Sequence, residues 1–208
     1  MRIVEATLAD SHAVLTVERA AFAREDEAAL VADLLQDPSA QPSLSLLAFL
    51  QDKPVGHVLF TNAVLAGASR EVPAAILAPL AVLPEFQRQG VGRALIEHGA
   101  SRLAASGVQL LFVLGHPGYY TRCGFVPAVP FGLRAPVPHR ARGGVDGSPT
   151  GSGSSGRGHG RHRLPREHGQ ARVLARVGVV SPGTRSDGQP FAGADFPIWL
   201  FRPSSLKQ

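Results

Sequence analysis

The run Leu80-Ala81-Val82-Leu83-Pro84-Glu85-Phe86-Gln87-Arg88-Gln89-Gly90-Val91-Gly92-Arg93-Ala94-Leu95 constrains the fold more than any other part of the chain. Its apolar first part reads as a strand that Pro84 ends, since proline fixes φ and has no N–H to donate. Gly90 and Gly92 then open a helix. Amides in the first turn of a helix have no internal partner, and the helix dipole adds partial positive charge there. With two glycines removing the side chains that would block approach, this geometry suits a pyrophosphate.

The surrounding periodicities fill in an α/β arrangement. Ile3 to Ala6 reads as a short strand, and Asp10 or Ser11 caps a helix with Ala13, Val14, Val17, Ala20 and Ala21 at helical spacing. A second helix is expected from Glu25 to Gln36, acidic at its start and stopped before Pro38. Ser45 to Leu50 and Val55 to Val64 are expected strands, and the hairpin-length link Gln51-Asp52-Lys53-Pro54 pairs them antiparallel. Ala74 to Val82 leads into the glycine loop. In the helix that follows, Gly92, Leu95, Ile96, Gly99 and Leu103 share one face, and Gly107 closes it. Leu110 to Leu114 has no polar alternation, as in a strand covered on both faces, so 74 to 114 reads as a crossover with parallel strands. A short helix, Tyr119 to Arg122, and a strand beginning at Gly124 come next.

Charge divides the chain in two. Residues 1 to 137 carry 10 Lys or Arg against 12 Asp or Glu, whereas 138 to 208 carry 11 against 4, so the formal net charge of +5 belongs to the tail. Residues 139 to 169 hold no apolar side chain larger than Val145 except Leu164, too little to offset the entropy of ordering. A domain over 1 to 137 followed by a low-complexity, disordered basic tail over 138 to 208 is therefore expected. Val173, Leu174, Val177, Val179, Val180 and the cluster Phe196 to Phe201 are scattered among Pro and Gly and are not expected to pack. Cys123 stands alone, which excludes an internal disulfide framework and fits a reducing compartment. With no signal-peptide core and no apolar run of membrane length, the expectation is a soluble, cytoplasmic protein that does not engage a membrane. His159, His162 and His168 lack a recognised ligand spacing, so no metal is expected.

Residues 80 to 95 together with 119 to 127 resemble the GNAT superfamily of acetyl-CoA-dependent N-acetyltransferases, in the branch often called YhbS-like. Gln87, Gly90 and Gly92 match the pattern Q/R-x-x-G-x-G/A, Tyr120 to Phe125 match Tyr-x-x-x-Gly-Phe, and Phe112 to Tyr120 carry the branch's form. The resemblance covers about residues 1 to 137. It implies a GNAT fold, α/β or α+β by some schemes, with a mixed central sheet flanked by helices. It also implies acetyl-CoA as cosubstrate, bound by Leu80 and Val82 along the pantetheine arm and by Gln87, Arg88, Gln89, Gly90, Val91, Gly92 and Arg93 around the pyrophosphate. The acceptor is a small-molecule or peptide amine that attacks the thioester directly, and Tyr120 is the phenol at the departing sulfur. Phe22 and Glu25 fall where the acceptor site is built. No general base is named: Glu85, His57 and His116 are chemically able, a water chain serves equally, and His57 in its strand also reads as a core residue.

The tail departs from that family. Advanced by one base, codons for 145 to 149 permit Trp-Met-Ala-Leu, those for 158 to 165 permit Val-Thr-Gly-Ala-Thr-Val followed by Tyr or Cys, and those for 139 to 144 permit Ile-Glu-Pro-Glu-Ala-Val. All three lie in one frame, which predicts that 139 to 208 is an out-of-frame translation running past the original stop. The closing strands of the sheet would then be missing. That expectation supports an alternative function, a non-catalytic acyl-CoA-binding or partner-binding domain, homodimerisation included, with an incomplete C-terminal sheet. Nucleic-acid binding through the basic tail is the third reading and the least expected.

Overall fold

The computed structural model describes residues 1–115, 117–133, 172–174 and 198–203. Seven strands form one mixed sheet in the order β1-β2-β3-β4-β5-β8-β6. They are β1 (Arg2–Glu5), β2 (Leu44–Leu50), β3 (Lys53–Ala66), β4 (Ala74–Val82), β5 (Leu110–Leu114), β6 (Val126–Pro127) and β8 (Ile198–Phe201). A further strand, β7 (Arg172–Leu174), pairs with the end of β3. All neighbours are antiparallel except β4 and β5, which the crossover helix α3 (Val91–Ala105) makes parallel. Helices α1 (Ser11–Phe22) and α2 (Asp26–Gln36) cover the opposite face, and α4 (Pro117–Tyr120) follows β5.

Alternation along the strands sorts the two faces. Leu46, Ala48, Val58 and Phe60 pack with Leu95 and Ile96 of α3, while Leu47, Leu59 and Ala81 pack with Val14, Val17, Val31 and Leu34 of α1 and α2. Helix α3 comes close to the sheet because small residues meet it. A Cβ added at Gly56 of β3 would lie 2.9 Å from Val91 Cγ1 and 3.1 Å from Leu95 Cδ1, and one at Gly99 of α3 would collide with the Phe60 ring. These contacts fix where the N-terminus of α3 emerges.

The β3–β4 register slips so that Val58 faces Leu80 while Phe60 faces Leu77. Two residues of β4, Ala78 and Pro79, thus oppose Leu59 alone, a bulge that bends the strand. Pairing of β4 with β5 covers only Ala74–Leu77 against Leu110–Val113. Beyond the bulge β4 runs on to Val82, past the end of β5 at Leu114, so that edge of β4 has no strand partner among the described residues.

The expected elements from β1 to β5 are present within a few residues at their ends. The C-terminal apolar cluster is the correction. Ile198–Phe201 forms β8, antiparallel to both β5 and β6, with Ile198, Trp199 and Leu200 all buried. The strand that composition assigned to the tail therefore completes the sheet, and β5 is not an open edge. Burial of three large side chains and a full register against Leu111–Leu114 outweigh the Pro and Gly around them. Val173 and Leu174 likewise join a strand, facing Leu65 and Val64. The expected disorder of residues 138–171 and of most of 175–197 lies outside the described residues.

Candidate functional site

Everything the glycine loop offers comes from its backbone. After β4 a 3-10 turn at Pro84–Phe86 brings the chain round, held by Leu83 N–H to Val55 O at 2.9 Å. The Gln87 amide donates to Val82 O at 3.1 Å and that of Gln89 to Glu85 O at 2.8 Å, so both glutamines shape the loop from within. Arg88 and Gly90 have φ of 60° and 87°, the left-handed region. Glycine takes it freely at 90, whereas at Arg88 it is a strained conformation of the kind kept where it has a use. No side chain caps α3, and the first amide to close a helical ring is that of Ala94, to Gly90 O at 2.9 Å. The N–H groups of Val91, Gly92 and Arg93 therefore face out of the helix start. A Cβ at Gly90 would meet nothing within 4 Å, so the approach is open.

The side chains around this loop play unequal parts. Val91 is buried against Gly56, leaving only its amide to the loop. Leu80 and Val82 converge on Gly92: their Cδ2 and Cγ2 atoms are each 3.5 Å from the position a Cβ would take there. The Arg93 guanidinium is engaged with Glu97 at 2.7 Å, while Arg88 is exposed. The expected cofactor residues from Leu80 to Arg93 are thus gathered at one place, where β4 runs past the end of β5 and α3 begins.

Two tyrosines of α4 come up beside this place. Tyr120 packs its ring on Gly115 at the end of β5 and stands edge-on to Phe125 at 5.7 Å. Burial, with smaller contributions from Tyr119 and Cys123, pushes its phenol well above the ordinary value of 10.0. Tyr119 stands edge-on to Tyr120 at 5.2 Å, and burial pushes its phenol up to about 12. Both are neutral near pH 7 and can donate a proton in a hydrogen bond. Trp199 of β8 donates its indole N–H to Gly115 O at 3.0 Å, which ties the floor under Tyr120 to the closing strand.

Of the three candidate bases, Glu85 is exposed and paired with Lys53 at 3.0 Å, its carboxyl held below the usual range by a hydrogen bond to its own backbone and by Lys53. His57 is wholly buried on the α1/α2 face, hydrogen-bonded to Glu18 through Nδ1 and to Ser45 Oγ through Nε2 at 2.9 Å. His116 lies outside the described residues. Glu25, expected near the acceptor, is exposed and paired with Arg19 at 2.7 Å.

Sequence reasoning passed over Tyr119, Glu18, Ser45 and Trp199. Glu18 had a signal: with Val14, Val17 and Ala21 it follows the i, i+3, i+4 spacing of a buried stripe. Among the described residues, no group of three or more His, Cys, Asp or Glu could hold a metal ion, and no helix is long and apolar enough to cross a membrane.

A bulged strand that outruns its parallel neighbour and ends in an uncapped, glycine-rich helix start is an α/β anion-binding arrangement. The family model for the acetyltransferase (GNAT) domain matches residues 42–127. The chain belongs to the GNAT family of N-acetyltransferases. It is 50% identical over 130 residues to the N-acetyltransferase YjhQ of Escherichia coli K12, covering 62% of this chain and 72% of that protein, and 31% identical to E. coli YhbS over 62% and 75%. Among solved structures, that of E. coli YhbS in complex with CoA is similar at a TM-score of 0.60 and 29% identity, covering 66% of this chain and 75% of that one. A GNAT acetyltransferase from Brucella melitensis in complex with acetyl-CoA is similar at a TM-score of 0.55 and 31% identity, covering 60% and 82%.

Proposed function

We propose that this chain transfers an acetyl group from acetyl-CoA to a primary amine by direct attack. The observation that carries the reading is the open, uncapped start of α3 beside the stretch of β4 that runs past β5, in a chain whose relatives of similar structure were captured with CoA or acetyl-CoA. Backbone amides of 88 to 93 would hold the pyrophosphate, with Arg88 adding charge from the surface, and the edge of β4 at Leu80 and Val82, which β5 does not cover, would align the pantetheine arm. Bound acetyl-CoA supplies the activated carbonyl. Tyr120, kept protonated by its burial, is the phenol that would offer its proton to the departing sulfur. With β8 in place the sheet is closed, so an incomplete sheet gives no ground for a non-catalytic reading.

Titration calorimetry with acetyl-CoA tests the first half: saturable binding is expected, and none at millimolar concentration would sink the proposal. Turnover against a panel of amines tests the second half. Tyr120→Phe is expected to lower kcat by about 10²- to 10⁴-fold, the range of general acid catalysis, with the acetyl-CoA affinity kept. An unchanged kcat would remove Tyr120 from the reaction.

A further inference from the structure

The two tyrosines of α4 point to different places. Tyr120 turns into the core, onto Gly115 and Phe125. The Tyr119 hydroxyl instead lies directly over Gly92, in the space a Cβ at that position would fill, where Leu80 and Val82 also converge. It is therefore in the first turn of α3 and beside the unpaired stretch of β4 at once. Tyr119 remains 40% exposed, so a ligand can reach it. Its hydroxyl has no hydrogen-bond partner among the described residues, although the ring is fixed edge-on to Tyr120. A phenol whose ring is clamped and whose hydroxyl stands unused beside Gly92, Leu80 and Val82 is prepared for a partner from outside.

From this placement we infer that Tyr119 is a cofactor-positioning residue, whose hydroxyl donates to a carbonyl of the pantetheine arm where that arm passes between β4 and the start of α3. The inference rests on the acyl-CoA reading above. A free hydroxyl beside the apolar walls of Leu80 and Val82 suits the arm, whose alkyl segments alternate with amides that carry carbonyls. It does not suit the nucleotide end, whose phosphates need the amides and charges further along the loop. Gly92 has a second use here: any side chain at that position would displace the hydroxyl. The division of work is then clear. Tyr119 holds the arm, and Tyr120 serves the sulfur.

The test compares acetyl-CoA with adenosine 3′-phosphate 5′-diphosphate, which has the nucleotide end and lacks the arm. In Tyr119→Phe the loss of one hydrogen bond should weaken acetyl-CoA binding about three- to tenfold and leave the nucleotide's affinity unchanged. In turnover the same variant should raise KM for acetyl-CoA at unchanged kcat, the opposite split from Tyr120→Phe. Tyr119→Leu, which also removes the ring, should weaken acetyl-CoA at least as much. If Tyr119→Phe binds acetyl-CoA like wild type, or weakens both ligands equally, the inference is overturned while the acetyltransferase reading stands. If wild type fails to bind acetyl-CoA at all, both fall.

Discussion

On the α3 side of the sheet the buried cluster is apolar, with Leu46, Val58, Phe60, Leu77, Leu95 and Ile96 joined by Trp199 and its one indole N–H. On the α1/α2 side, Val14, Val17, Val31 and Leu34 share the interior with Glu18, Glu27 and His57, each 1% exposed or less. The first face is held by shape, down to glycines that let a helix and a strand touch. The second is held partly by hydrogen bonds that hydrophobic burial alone would not specify. His57 joins β3 to α1 through Glu18 and to β2 through Ser45, and Arg24 reaches in to Glu27 at 3.0 Å. Glu18 and Glu27 each keep one oxygen without a hydrogen-bond partner among the described residues. The contrast matches the work of each side. The α3 face must present backbone amides at a fixed position, and rigid apolar packing achieves that.

Breaking the polar face should have the largest effect. His57→Ala leaves the Glu18 carboxyl buried without its partner and is expected to cost about 3–5 kcal/mol in urea unfolding. Replacing Glu18 and His57 together by Leu should recover most of that loss, because two apolar residues leave nothing unpaired. On the apolar face, Gly99→Ala drives a methyl into the buried Phe60 ring and should cost about 1–3 kcal/mol, with Phe60→Leu restoring part of it. If Gly99→Ala proves the more costly, the contrast between the faces is reversed. Trp199→Phe removes the single bond to Gly115 O and should cost about 1 kcal/mol, and it should slightly loosen Tyr120 above that carbonyl.

The smallest effect is a slope. Burial raises the Glu18 carboxyl above its ordinary value of 4.5, so between that pH and neutrality the folded protein binds the proton more tightly than the unfolded one. Its contribution is complete below about pH 4.5 and is lost as pH rises through the elevated value. Asp10 acts in the opposite sense, because the Thr7 backbone and hydroxyl hold its carboxyl below 3.8 and its contribution is lost as pH falls. Stability measured upward from about pH 4.5 should thus decline in wild type and stay flatter in Glu18→Gln. Equal slopes would mean that burial does not govern Glu18.

Legibility in the sequence followed the range of the interactions involved. The elements from β1 to β5 were readable because 3.6- and 2-residue periodicities are local, and the glycine loop because Pro84, Gly90 and Gly92 each punctuate the chain. Strand β3 begins earlier than expected because Lys53 and Pro54 pair with Leu50 and Phe49, a cross-strand fact. Strand β8 was missed for the same reason. Ile198–Phe201 is a four-residue apolar run buried on both faces, with no alternation to mark it, and its partner β5 lies far back in the chain. Tyr119 escaped notice because the family pattern names only its neighbour, and which of two adjacent phenols enters a cleft is decided by the turn of α4.

The place of β8 has a consequence for how the protein is made. Leu114 and Phe201 belong to adjoining strands, yet a ribosome working at about 5–20 residues per second reaches the second roughly 4–17 seconds after the first. Through that interval the nascent chain already owns its glycine loop, both tyrosines and helix α3, while the outer edge of β5 waits for its neighbour. The later-made strand thus covers an edge laid down well before it, and aggregation during synthesis would be decided in those seconds by whatever shields Leu111 to Leu114.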